Sequence, residues 1–329
     1  MAKCNTKKIT SIGGSALIEG IMMRGPKRTT VAVRTGENEI YTEDIKITTI
    51  PEKCKAFKLP FLRGIAGLID SMRLSYKSLM LSANKAIEAG EIEEEEPGKF
   101  EKWIDEKFGD KFMKVLMVLS SILGVALAIV LFFFLPTFLF DLTSKIVPAF
   151  QGTSPDVVFF KSVFEGILKI VLFLAYIVIC SQMTEMKRVF MYHGAEHKTI
   201  FCYENEEELT VENVKKQSRF HPRCGTSFMV LMLIIGIVIG LFVPVAPFGI
   251  SALRPVIKIL LLPLTCGIGY ELIKICGKHD NVFTRIIAAP GLWAQRITTK
   301  EPDEKMCEVA IKAMKAVIPD DGTDIVIVK

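Results

Sequence analysis

Long apolar runs alternate along this chain with charged stretches, and their lengths sort them into predicted elements. Residues 113–140, 157–182, 228–245 and 256–275 each read as a membrane-spanning helix, since a bilayer needs about 20 apolar residues. The first is free of charge across 115–140, and Pro136 is expected to kink its far end. The second carries Lys161, Glu165 and Lys169 at four-residue spacing, so that they share one face and can pair away from lipid. A short proline-rich connection, 244–255, predicts that the last two spans form an antiparallel pair.

Outside these runs the pattern changes. Residues 1–60 have the texture of a β-rich unit: β-branched runs at 29–34 and 39–47 flank the turn Thr35-Gly36-Glu37-Asn38, and Gly13-Gly14 and Gly25-Pro26 punctuate the segment. In 61–112, Phe61, Ile65, Leu68, Met72, Tyr76, Leu79 and Ala83 recur at three- and four-residue steps beside Arg63, Arg73, Lys77 and Lys85. That predicts an amphipathic helix whose apolar face lies on an anionic membrane or packs on the β unit. An acidic linker at 91–96 and an interfacial Trp103 follow. The loop 183–227 is polar. The tail, 276–329, holds a helix through Met306, Val309, Ala310, Ala313, Met314 and Val317, then a last strand at 325–328 that can add an edge to the amino-terminal strands.

Composition agrees with a polytopic membrane protein. Half of the residues are apolar, and the mean hydropathy is +0.37. The net charge of +5 sits beside apolar runs rather than in aromatic-interleaved patches, which points to membrane lipids as partners and excludes nucleic acid. The start of the chain predicts no cleaved export signal. Eight cysteines without a C-x-x-C pair suggest reduced thiols and a cytosolic soluble part. Lysine and arginine crowd the second connection (Lys187, Arg188, Lys198, Lys215, Lys216, Arg219 and Arg223), whereas the first and third carry only Lys145 and Arg254. The expected fold is therefore an α-helical polytopic membrane protein with four transmembrane helices and a small cytosolic α+β domain built from the termini. It is expected in the cell membrane, both ends cytosolic.

Candidate chemistry centres on Tyr192-His-Gly-Ala-Glu-His-Lys198, which holds two of the four histidines. On a helix, His193 and His197 share a face with Glu196 beside them, the H-x-x-E-H arrangement of inverted zinc peptidases. Two metal readings follow. His193, His197 and Glu271 can hold a zinc-like divalent metal with an open water position and Glu196 as general base. Alternatively His193, His197, His221 and Cys224 close a four-ligand structural shell. A helical rise of 1.5 Å per residue separates His193 and Glu271 by roughly 18 Å along the membrane normal if both helices run straight. Glu271 therefore requires a break, for which Gly194 offers a weak point, and otherwise Glu204 is the nearer acid. The open shell implies a metal-dependent hydrolase acting on a membrane-protein or lipid substrate. The closed shell implies a non-enzymatic scaffold or assembly factor. A transporter, formed by a homo-oligomer, is a third reading. His279, in a Gly-Lys-His-Asp loop, is expected to be solvated.

Five ordered blocks add a resemblance: Gly13-Gly-Ser-Ala-Leu-Ile-Glu-Gly-Ile-Met-Met-Arg-Gly-Pro26, Leu62-Arg-Gly64, the His193 block, His221-Pro-Arg-Cys-Gly-Thr226 and Ala289-Pro-Gly-Leu-Trp293. Together, over 12–318, they closely resemble the YqhQ-like family of bacterial membrane proteins, a domain of unknown function with a predicted metal-dependent label. The resemblance implies a metal at His193, Glu196, His197, His221 and Cys224, and supplies no reaction or substrate. It also draws attention to Glu19, Arg24 and Arg63. Glu19 and Arg24 can pair with each other, and Arg24 and Arg63 can hold an anionic substrate group.

Overall fold

The computed structural model describes residues 7–59, 62–90, 115, 116, 118–276 and 281–328. The acidic linker, Trp103 and His279 lie outside the described residues. The chain divides into two compact units: Met1–Ile92 with Phe173–Ile235 and Pro263–Lys329, and Glu93–Leu172 with Gly236–Leu262. The first is an α/β unit and the second is apolar and helical.

In the α/β unit, strands β2 (Gly13–Leu17), β3 (Gly20–Arg24), β4 (Thr29–Arg34) and β5 (Ile40–Asp44) form an antiparallel sheet in sequence order. Period-two alternation gives this sheet two apolar faces. Leu17, Met22, Val31 and Val33 pack with Leu74 and Ala86 of α2 (Leu62–Glu88). Ile21, Met23 and Ala32 pack on the other side with Tyr192, Ala195 and Ile200 of α5 (Thr184–Glu204) and with Met306, Val309, Ala310 and Met314 of α11 (Glu304–Val317). The turn predicted at 35–38 joins β4 to β5, closed by the Thr35 N–H donating to the Glu39 carbonyl at 3.0 Å. The last strand, β6 (Ile325–Val328), pairs antiparallel with β1 (Lys7–Thr10), so that the two ends of the chain make a separate two-stranded sheet.

Helix α2 buries a different face from the one its apolar spacing suggests. Ala66, Asp70, Leu74, Ser78, Ser82 and Ala86, mostly small or polar, are buried. Met72 and Tyr76 remain 65% and 68% exposed, and with Ile69, Leu79 and Met80 they form an uncovered apolar stripe. Small residues permit close approach to the sheet, and the large ones are left outward.

The apolar unit contains α3 (Val118–Ile146) and the first part of α4 (Pro155–Cys180). It also holds the end of α7 (Gly225–Gly240) and the whole of α8 (Leu253–Leu260). A π-helical turn at Val130–Phe134 interrupts α3 just before Pro136. Proline lacks the N–H that would bond the carbonyl of residue 132, and the wider turn accommodates it without ending the helix. Gly166 lies directly against Ile237, an approach that a side chain would prevent. Among the described residues two helices, α3 and α4, are long and apolar enough to cross a membrane. A third candidate is the pair α8 and α9 (Leu262–Cys276), bent by 45° where Pro263 interrupts the expected span. Helix α7 is apolar throughout but has only 16 residues.

Candidate metal centre

The site is built on α5. No break occurs at Gly194: the chain interrupts earlier, between Cys180 and Thr184, and α5 then runs unbroken to Glu204. The absent side chain at Gly194 instead lets the Lys300 carbonyl press against the helix. One turn apart, His193 and His197 face the same way, their ring centroids 4.4 Å apart. Cys224 arrives from the loop before α7, and its sulfur lies 3.1 Å from His193 Nε2. One ligand atom from each of His193, His197 and Cys224 lies within 4.8 Å of the others.

The proton positions on both imidazoles follow from their outer partners. His193 Nδ1 lies 2.9 Å from the Thr298 carbonyl, and His197 Nδ1 lies 2.6 Å from the Arg219 carbonyl. A carbonyl only accepts, so each Nδ1 carries the proton and, in the neutral ring, each Nε2 presents a lone pair. Two lone pairs thus face one thiol, whose single S–H can satisfy only one. His197 Nε2 is accordingly buried without a hydrogen-bond partner. Carbonyl-tethered imidazoles with converging Nε2 atoms are the outer arrangement that metal-ligating histidines use.

Electrostatics shape the same groups. Burial holds His197 below the usual imidazole range. Burial alone would push the Cys224 thiol up, but the His197 imidazole, when it carries a second proton on Nε2, and the Thr226 hydroxyl and N–H outweigh it and hold the thiol below its ordinary value. Cys224 also directly precedes the amino-terminal end of α7, where the helix dipole favours a thiolate. Glu196 is buried, and desolvation raises its carboxyl to about 7 against the opposing pull of His193 and the Gly14 N–H. Its Oε2 has no hydrogen-bond partner. Gly14 is needed here: a Cβ would lie 2.9 Å from the Glu196 side chain and 2.8 Å from the Met22 carbonyl.

His221 lies outside the three-residue group. Its ring centroid is 5.5 Å from that of His197, its Nδ1 accepts from the Arg223 N–H at 3.3 Å, and its Nε2 faces Glu204 at 3.7 Å. Glu204, too, is committed elsewhere, to Arg223 and the Thr10 N–H, in a network that ties β1 to the His221 loop. Glu271 is also outside the group, because both of its oxygens pair with Arg63. Glu19 does not pair with Arg24. It occupies the β2–β3 turn at φ 49°, held there by Arg188 and, at 3.2 Å, by the Tyr192 hydroxyl. Arg24 is exposed on the wall of a cavity of about 840 Å³, which it shares with Arg28 and Lys46. That cavity also touches Gly14, which abuts Glu196, and Gly225, which follows Cys224.

One residue without any motif organises the loop. Gln295, fully buried on α10 (Val282–Thr298), accepts from the His221 N–H at 2.8 Å and donates to the His221 carbonyl at 2.7 Å and to Ser227 at 3.1 Å. The only sequence signal for it is its position two residues after the Ala289-Pro-Gly-Leu-Trp293 block.

The family model described as "Protein of unknown function (DUF1385)" matches residues 59–320. The chain belongs to this family. It is also similar to "Uncharacterized protein YqhQ" of Bacillus subtilis (strain 168), with 33% identity over 311 residues, or 93% of this chain and 92% of that protein. No solved structure matches. The resemblance carried by the five sequence blocks is therefore to the family that the chain belongs to. His193, Glu196, His197, His221 and Cys224 all fall inside the DUF1385 match, whereas Gly14 and Arg24 precede it.

Proposed function

We propose that this protein is a metal-dependent membrane hydrolase whose ligands are His193, His197 and Cys224, with Glu196 as general base. The observation that carries the reading is the orphaned lone pair: His197 Nε2 is buried without a partner beside His193 Nε2 and the Cys224 sulfur. Two imidazoles and a thiolate suit a borderline-soft ion such as Zn²⁺. His221 and Glu271 have other partners, so three protein ligands leave a fourth position for water, the catalytic rather than the structural pattern. When bound, the ion supplies Lewis acidity and brings the acidity of a water toward neutral pH. Glu196, dry and with Oε2 free, is suited to take the proton of that water and return it to the leaving group.

The 840 Å³ cavity is the natural substrate cleft. Arg24 and Arg28 on its wall suit an anionic group on the substrate, whereas Arg63 is neutralised by Glu271. Two or three apolar helices and the uncovered stripe on α2, flanked by Arg73 and Lys77, support a multi-pass protein of the cell membrane with that stripe on lipid, and hence a membrane-associated peptide or lipid substrate. The lysine and arginine bias of the second connection supports a cytosolic location for both termini.

The test is elemental analysis of protein purified without chelator. About one zinc-like ion per chain is expected in the wild type and none in the His193→Ala/His197→Ala double variant. A metal-free wild type refutes the reading. In cobalt-loaded protein a thiolate-to-metal charge-transfer band should appear and vanish in Cys224→Ser, while Glu196→Gln keeps both metal and band but loses hydrolysis.

A further inference from the structure

The apolar unit buries a set of charges that does not balance. Lys161 and Arg254 are 0% exposed, Glu165 is 1% and Lys258 is 8% exposed, while Asp141 and Lys169 are half-buried. Among the described residues four cations thus face two carboxylates, and two positive charges are left over inside helices whose outward faces are apolar. Charge in such surroundings persists only with a partner.

The pairings locate the surplus. Lys161 is matched by Asp141 at 2.6 Å, with Ser251 and the Val245 carbonyl alongside. Arg254 is enclosed by the carbonyls of Gly240, Val243 and Pro244 at the carboxyl end of α7, and by Ser162 and Glu165. The same Glu165 is also, among the described residues, the only carboxylate paired with Lys258, and its other oxygen accepts from Thr137 at 2.9 Å. Lys169, one turn beyond Glu165, feels that carboxylate but makes no direct ion pair with any among the described residues. It sits 4.6 Å over the ring of Phe133, within the π-helical turn of α3, and in electrostatic reach of Lys258 and Arg254. The deficit therefore lies at Lys169 and Lys258. Gly240 lets the Lys258 ammonium pack against α7, since a Cβ there would lie 3.0 Å from Lys258 Nζ. π-helical turns within α-helices are frequent at functional sites.

We infer that Lys169 and Lys258 form a binding site for an oxyanion, a phosphate group carried by an anionic lipid or free in solution. Lysine serves such groups as a flexible point charge and needs no planar fork. The site is separate from the histidine cluster and stands whether or not that cluster binds metal.

The test uses the full chain, purified in a neutral detergent and phosphate-free buffer, with thermal unfolding followed at rising concentrations of phosphatidylglycerol, phosphatidylcholine or inorganic phosphate. Saturating phosphatidylglycerol or phosphate should raise the midpoint by about 3 °C or more. A shift with phosphate alone assigns a free anion, and a shift with phosphatidylglycerol only assigns a lipid. Lys169→Gln should remove most of the shift and Lys169→Arg should keep it. No shift with either anion, or an equal shift with phosphatidylcholine, overturns the proposal on the wild type alone, even if Lys169→Gln fails to fold. An undiminished shift in a folded Lys169→Gln overturns it as well. Metal content measured on the same samples keeps this outcome apart from that of the histidine site.

Discussion

The two units bury polar groups in opposite imbalance. In the α/β unit, two imidazole lone pairs and a thiol converge on one point. In the apolar unit, lysines and arginine outnumber the carboxylates beside them. Elsewhere in the α/β unit two buried carboxylates are matched: Glu19 has Arg188, and Glu204 has Arg223. The contrast teaches that satisfied pairs build the frame, whereas a cluster that its own atoms cannot satisfy is where a ligand belongs. One cluster calls for a cation and the other for an anion.

The comparison breaks first at the ligand set. Cys224→Ser should weaken zinc binding well beyond 100-fold, which is the upper end for outer partners. His221→Ala, by contrast, should keep about one ion per chain, with a loss of about 10- to 100-fold. Competition against a chelator of known affinity measures both. Equal losses would mean that His221 is a fourth ligand and that the shell is closed.

The next largest effect belongs to the other unit. Arg254→Met leaves Ser162 and the carbonyls of Gly240, Val243 and Pro244 without their donor, and Glu165 with Lys258 and the Thr137 hydroxyl. A buried pair broken from one side costs about 3–5 kcal/mol. Resistance to unfolding by a denaturing detergent should fall accordingly, whereas the metal content should not change. A lost metal would show that the two clusters are not independent.

Much of the histidine site was legible because helix periodicity is local. The four-residue step from His193 to His197 fixes a common face without any tertiary knowledge, and the apolar runs announce α3 and α4 in the same way. Cys224 was legible as a candidate through its motif, although only the fold separates it from His221. What stayed hidden depends on distant backbone: the carbonyls of Thr298 and Arg219 that set both tautomers have no sequence signature. Glu19 near Arg24 looked like a pair, but strand pairing carries Arg24 to the far end of β3 and leaves Glu19 at the turn, facing Arg188 of α5. The spans were blurred for a related reason, since Pro263 divides one apolar run into two bent helices.

A pH titration sharpens the cation-seeking side. The Glu196 carboxyl rises from 4.5 to about 7 on folding, so the folded state favours its neutral form. Metal-free protein is therefore most stable, in this respect, below pH 4.5 and loses stability as the pH rises to about 7. A shift of this size corresponds to about 3 kcal/mol. The difference in unfolding free energy between chelated wild type and Glu196→Gln should trace that loss over that range and stay flat above it. Added zinc should offset the loss at neutral pH, because a cation favours the carboxylate. A flat difference throughout would mean that Glu196 reaches water in the folded protein and is not the dry base proposed.

The smallest effect is the most discriminating for the role of Glu196. Gly14→Ala puts a methyl group 2.9 Å from the Glu196 side chain and 2.8 Å from the Met22 carbonyl, too close for either to remain in place. The Met22 carbonyl belongs to the ladder between β2 and β3 and yields little, so the longer glutamate side chain moves instead. Overpacking of this kind costs about 1–3 kcal/mol. His193, His197 and Cys224 make no contact with the added methyl among those closest to it, so zinc stoichiometry should stay near one while hydrolysis falls with the displaced base. Calorimetry, metal analysis and turnover on the same variant separate the three consequences. If turnover survives a displaced Glu196, the proton passes through another group, and the bottom of the cleft must be rebuilt around it.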